Sequence, residues 1–298
     1  MVNQFVRKIE CSEESNIIFN IMGGVKGMKV RKHSEIWDRI KILKILLLVM
    51  FVLLFEAIFI SNKIANKKTT MKSLFENALL PVGTTMYIWG GGWEDGDGAA
   101  GATSTQIGLY PKWQEFARIQ DAEYDFTLHR YERENGLDCS GYVGWVVYNT
   151  FETKDGQDGY VTTSTDIAKN YAERGWGELL ENPTSFLPGD IVSMDGHVWI
   201  SLGMCKDGSV LLVHSSPPGV SVCGTQTEGQ PSSIAIELAA EYMEETYPDW
   251  QKRYPNRAVP NTYLQNVNVF RWSEKLFTDV EIYQKMSAKD IYLCFMTE

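Results

Sequence analysis

The chain has 298 residues, 44% of them hydrophobic, and a formal net charge of −10. That length can bury one good core with an added segment, and the acidic balance argues against a nucleic-acid partner, which needs a basic surface. Five scattered cysteines without a CxxC make neither a disulfide framework nor a zinc ribbon or thioredoxin-like site. Free buried thiols are expected, and a Cys205–Cys223 pair is left open.

Residues 1–39 are mixed in charge and read as a loosely ordered cytoplasmic leader. Ile45–Ile60, "ILLLVMFVLLFEAIFI", is apolar apart from Glu56. At ~1.5 Å per residue it falls short of a hydrocarbon core of ~30 Å. Starting at Ile40 repairs this, because Lys41 and Lys44 can snorkel. The run follows a long leader, lacks a small-residue cleavage site, and has almost no polar face. It therefore reads as an uncleaved transmembrane anchor over 40–61, in preference to a signal peptide or a core helix. Basic residues are denser before it than after, so the N-terminus is expected inside and the C-terminal domain outside. A polar linker, 62–72, leads to a domain over 73–298.

Ser73 is placed to cap a short helix, "LFENALL", ended by Pro81 and Gly83. "GGGWEDGDGAAGATST" (Gly90–Thr105) is glycine-rich, but no G-K-[ST] follows and its acids miss calcium-loop spacing. It reads as a mobile surface loop. "NGLDCSGYVGWVVYN" (Asn135–Asn149) begins a helical apolar pattern, with Asp138 as N-cap and Cys139 in the first turn. There the unpaired N–H groups and the helix dipole favour a thiolate, so a depressed thiol pKa is expected. "STDIAKNYAERG" reads as a capped helix from about Ser164 to Arg174, stopped by Gly175.

After the "LPGD" turn come "IVSM", "HVWISLGM", "SVLLVHSS" and "GVSV", β-branched runs separated by D-G, D-G and P-P-G. They predict an antiparallel meander. A helical stretch, "IAIELAAEYMEETYPDWQKRYP", precedes one more strand, "NVNVFRW". Helices first and antiparallel sheet second give an α+β fold with helices on one side.

The chain has four histidines. His33 lies in the leader and His129 in an irregular segment. His197 starts one predicted strand and His214 lies near the end of the next. Counting outward from the Asp207–Gly208 turn sets Ser201 opposite His214, with His197 four residues on; a bulge would bring the rings closer. A thiol with two imidazoles can serve a cysteine peptidase or, as a rival, a zinc site.

"YIWGGG" (Tyr87–Gly92), "LDCSGYVGW" (Leu137–Trp145), "LPGDIVSMDGHVWISLG" (Leu187–Gly203) and "VLLVHSS" (Val210–Ser216) resemble, in order, the motifs of the NlpC-type papain-like cell-wall peptidases. The resemblance implies a papain-like NlpC-type fold, with N-terminal helices packed on an antiparallel half-barrel. It implies Cys139 as nucleophile, His197 as general base and His214 as the residue that orients it. Tyr87 would stand near the oxyanion position, and Asp138 and Ser140 would help form the substrate subsite. The implied reaction is hydrolysis of peptidoglycan stem peptides at the γ-D-glutamyl–diamino acid bond through a thioester, with no cofactor and no metal. Rival readings are an N-acetylmuramoyl-L-alanine amidase of similar fold and a wall-binding module without activity. The sequence departs from the family pattern by insertions at 93–136 and 224–262, and by Trp199 where a glycine is usual. The first insertion is expected to be a lid or groove wall hinged at Gly90–Gly101, with Trp199 narrowing the groove opposite.

Overall fold

A computed structural model describes residues 39–51, 69–94, 98–152 and 158–297. The chain divides into two units, 1–67 and 68–298. In the first, residues 39–51 are helical (α1), with Ile42, Leu43, Ile45 and Leu46 exposed. The leader, the second half of the expected anchor and most of the linker lie outside the described residues. Among those described, no helix is long and apolar enough to cross a membrane.

The second unit opens with α2 (Met71–Leu79). Its cap is Thr70, not Ser73. Thr70 Oγ1 accepts the Ser73 N–H at 3.1 Å, and Ser73 Oγ accepts the Thr70 N–H at 3.2 Å, so Ser73 is the third-position partner in a capping box. Met71, Leu74, Phe75, Ala78 and Leu79 form its buried stripe.

β1 (Met86–Tyr87), α3 (Pro111–Ile119) and β2 (Gly136–Leu137) precede α4 (Cys139–Phe151). Helix α4 is buried on almost every face, its mostly apolar sequence including only Ser140, Asn149 and Thr150 as polar residues besides Cys139. It ends where Glu152 turns left-handed. Helix α5 (Ile167–Glu173) is shorter than its sequence signal: Asp166 precedes it without a capping bond. Gly175, at φ +75°, marks its end.

The predicted meander forms as β4 (Ile191–Met194), β5 (His197–Met204), β6 (Val210–Ser216) and β7 (Gly219–Thr225). β9 (Asn268–Trp272) pairs with β4, and β3 (Gly177–Glu181), a strand with no clear signal in the sequence, pairs with β9. On the other side β1 pairs with β7, and β2 runs parallel to β1. The second insertion supplies α6 (Ile234–Thr246), α7 (Pro248–Arg253) and β8 (Ala258–Val259), which lies parallel to β7. Helices α8 (Val280–Gln284) and α9 (Ala288–Phe295) close the chain. Arg271 on β9 clamps Asp190 of the "LPGD" turn with two bonds, 3.0 and 2.7 Å.

The result is a mixed α+β unit around a curled, mainly antiparallel half-barrel. One face of the sheet carries the main core, where Val198, Ile200, Leu211 and Val213 meet residues of α2, α4, α6 and α9. The other encloses a smaller cluster built on Val192, Trp199, Leu212, Cys223 and Val269.

Candidate active site

The N-terminus of α4 is set by three glycines whose backbones touch. A Cβ on Gly141 would lie 2.0 Å from the Gly91 carbonyl oxygen, and one on Gly92 would lie 2.5 Å from Gly141 Cα. Gly90 and Gly92 also have positive φ, +83° and +92°. This part of the glycine-rich stretch is therefore a packed cradle for the helix and not the expected hinge.

Asp138 caps α4 as predicted. Its Oδ1 accepts the Gly141 N–H at 2.7 Å and the Ser140 O–H at 2.9 Å, and its Oδ2 accepts the Gly90 N–H at 3.2 Å. Burial pushes its carboxyl up to about 6 against those bonds. Ser140 is buried too, and accepts the Trp93 indole N–H at 3.1 Å. Both residues are occupied in building the helix start. Their expected place beside the nucleophile is where the structure puts them, held mainly by bonds within the helix start.

Cys139 is the first residue of α4 and is buried. Its thiol is pushed up to about 12 by burial and by the Asp138 carboxylate. The backbone N–H groups of Val198, Ser140 and Cys139 pull the other way without prevailing. The thiolate expected from the helix terminus alone is thus overridden, because desolvation outweighs partial charges. The resting sulfur is a neutral thiol at the backbone of Val198, the residue that follows His197.

His197 Nε2 and His214 Nδ1 lie 2.9 Å apart. The β5–β6 register makes this possible. A bulge between Ser201 and Gly203 sets Ile200 against Val213, which carries His214 to the level of Trp199 and leaves His197 diagonal to it. His214 is buried, and burial, His197 and Arg257 hold its pKa well below 6.5. His197 keeps some exposure, and burial lowers it to about 4. Both rings are neutral at pH 7.

Tyr87 is buried with its phenol close enough to Cys139 and Asp138 for both to disfavour its ionisation, after burial itself. Its carbonyl accepts the Tyr124 O–H at 2.7 Å, and Phe126 meets its ring edge-on at 5.4 Å. Trp199 is fully buried, stacked on Phe186 at 5.8 Å. It does not narrow a groove, because β-strand alternation turns it into the smaller core. Tyr263 takes the position expected for it. The Tyr263 ring lies 5.5 Å from His197, 6.1 Å from His214 and 6.5 Å from Trp199. Neither Tyr263 nor Arg257 carries a sequence signal; both follow α6 and α7, Arg257 just before β8 and Tyr263 in a short 3-10 turn after it.

The first insertion packs on the domain. Trp113 is buried against Trp145 at 5.7 Å, and the Tyr131 N–H donates to the Trp89 carbonyl at 2.8 Å. Within the insertion lies a cavity of about 620 Å³, lined by Trp93, Glu94, Tyr110, Tyr131 and Glu132 among others. Residues 95–97 lie outside the description. His129 stacks on Tyr124 at 5.4 Å, away from the histidine pair's partners. Cys139, Cys205, Cys223 and Cys294 are free thiols. Among the described residues no group of three or more His, Cys, Asp or Glu could hold a metal ion.

The structure sets the Cys139 thiol at the backbone of Val198, the residue after His197, and joins His197 to His214. The chemistry that such a set serves is proton transfer from a thiol to an imidazole next to a helix N-terminus. Compared with known proteins, the chain matches no family model, no curated protein and no solved structure.

Proposed function

We propose that the chain is a membrane-anchored cysteine peptidase that hydrolyses peptidoglycan stem peptides at the γ-D-glutamyl–diamino acid bond. The observation that carries this reading is the His197–His214 contact of 2.9 Å beside the N-terminal thiol of α4. The ordered resemblance of its four motifs to the NlpC-type peptidases supplies the substrate class. The apolar run over 40–61 would tether the domain to the bilayer on the side facing the wall.

In this mechanism the neutral pair reacts by general-base catalysis. His197 takes the Cys139 proton as sulfur attacks the amide carbonyl. The oxyanion is met by the Cys139 backbone N–H and the Tyr87 hydroxyl. The proton on His197 then goes to the leaving amine, the thioester forms, and His197 activates the water that cleaves it. His214 accepts from His197 and holds its ring in place.

The test is to incubate the full-length chain in detergent with purified peptidoglycan and identify the cleaved bond by mass. New D-glutamate carboxyls support the endopeptidase. Free lactyl ends would make it an amidase, and binding without cleavage would leave only a wall-binding module.

A further inference from the structure

The cavity of about 620 Å³ inside the first insertion takes no part in the proposed proton transfers, yet its lining is held in place. Trp93 bridges to Ala100 in antiparallel fashion, and the Gly101 N–H donates to the Gly92 carbonyl at 2.8 Å. A Cβ on Gly101 would lie 2.3 Å from the Trp93 carbonyl oxygen, so the two sides of this loop touch. The Gln106 carbonyl accepts the Asn149 amide of α4 at 3.0 Å. Tyr110 meets the buried Trp113 edge-on at 6.2 Å. Tyr131 leans on the glycine cradle, where a Cβ on Gly90 would lie 2.7 Å from its ring. These contacts fix three aromatic rings, Trp93, Tyr110 and Tyr131, on the lining of one cavity.

The volume falls within the ~300–1,000 Å³ of small-molecule sites. The rings offer flat apolar faces, and Thr103, Gln106 and Asn135 add neutral donors and acceptors. Of the lining carboxylates, Glu134 is paired with Lys112 and Glu132 Oε2 accepts the Asn135 amide at 2.9 Å, which leaves Glu94. Arg133, with its guanidinium 5.2 Å over the Tyr131 ring, balances Glu94, so the lining does not concentrate charge of one sign. A pyranose suits this chemistry. One face of the sugar is a patch of C–H groups that packs on an aromatic ring, and its edge carries hydroxyls that donate to a carboxylate. An N-acetyl group adds an amide for Gln106.

We propose that the cavity is a subsite for an N-acetylated sugar of the glycan strand, held by Trp93, Tyr131, Glu94 and Gln106. Its part in turnover rests on the peptidase reading; the binding itself does not. In a stem peptide two residues separate the lactyl sugar from the γ-D-glutamyl bond, about 7 Å of extended chain. Trp93 connects the two ends of that span: it lines the cavity, and its indole N–H donates at 3.1 Å to Ser140, next to Cys139. A sugar seated against Trp93 brings its own stem peptide to the start of α4, and the insertion thereby selects peptides still attached to glycan.

The experiment is a calorimetric titration of the full-length chain, in a detergent without sugar, with the β-1,4-linked tetramer of N-acetylglucosamine. The native chain is expected to bind it saturably, and Tyr131→Ala and Glu94→Gln each to weaken binding about tenfold. Tyr131→Phe keeps the ring and binds as the native chain does. Leu128→Ala, at an exposed residue outside the lining, is the control and leaves the affinity unchanged. A native chain without saturable binding would overturn the proposal, whether or not the variants fold. So would native affinity in both folded variants, or saturation by lysinamide in place of the tetramer, which would make the cavity a cation site. The titration needs no cleavage. A chain that binds the tetramer and leaves peptidoglycan intact therefore counts against the proposed function alone, and one that cleaves stem peptides without binding the tetramer counts against this subsite alone.

Discussion

The ring of Tyr263 lies 5.5 Å from that of His197, covering the imidazole from a short 3-10 turn that follows the second insertion. A ring pair of this kind contributes about 0.5–1.5 kcal/mol beyond its buried area, enough to hold a catalytic ring in one rotamer. Tyr263→Ala is expected to lower kcat/KM by about tenfold, chiefly through kcat, while Tyr263→Phe stays near wild type. Equal losses in the two variants would mean that the hydroxyl, not the ring, is what matters.

Cys139 gives a prediction about pH. Its thiol is pushed up to about 12 and His197 down to about 4, so neither is charged near neutrality. Alkylation of Cys139 in the absence of substrate is therefore slow at pH 7 and accelerates as pH rises towards that of the thiol. Cys139→Ser should abolish hydrolysis and cost about 1 kcal/mol of stability or less. Rapid, pH-independent alkylation between pH 5 and 8 would show a resting thiolate pair and refute the neutral site.

Much of this was legible in the sequence, for identifiable reasons. Asp138, Cys139, the meander and its turns are local features, fixed by capping chemistry and by strand alternation. The histidine register was legible only up to the bulge, because a bulge at Ser201–Gly203 leaves no sequence mark beyond a glycine at φ +110°. What failed were statements about surroundings. The Cys139 thiol and Trp199 both depend on burial by residues distant in the chain, which no local pattern encodes. β3 was missed since "GELLE" is half-exposed and rich in acids.

The glycine cradle is a stability prediction. A methyl on Gly141 would sit 2.0 Å from the Gly91 oxygen, a backbone atom that cannot step aside. Gly141→Ala should destabilise the fold by about 1–3 kcal/mol, with a lower urea midpoint. Gly208→Ala is the control: nothing lies within 4 Å of its Cβ position, so only its φ of +84° opposes the change. If the two variants unfold at the same midpoint, the close approach at Gly141 is not holding the helix start.

The last prediction concerns the first insertion, taken as a groove wall packed on the domain. Tyr124 donates to the Tyr87 carbonyl at 2.7 Å and Phe126 meets the Tyr87 ring at 5.4 Å, so the insertion holds the tyrosine whose phenol feels the Cys139 thiol. Replacing 94–134 with a linker would also remove Trp113 and so uncover Trp145, and its effects would mix unfolding with chemistry. Point changes separate them. Phe126→Ala should free Tyr87 and reduce turnover of a small dipeptide and of intact wall by the same factor, about tenfold. Tyr131 is half exposed on the cavity wall within the insertion and has no contact with Cys139 or the histidine pair among the described residues. Tyr131→Ala should therefore slow digestion of intact wall while leaving the dipeptide rate unchanged. A lid would behave differently, since both substrates would then respond alike to Tyr131→Ala; that outcome would return the insertion to a gating role.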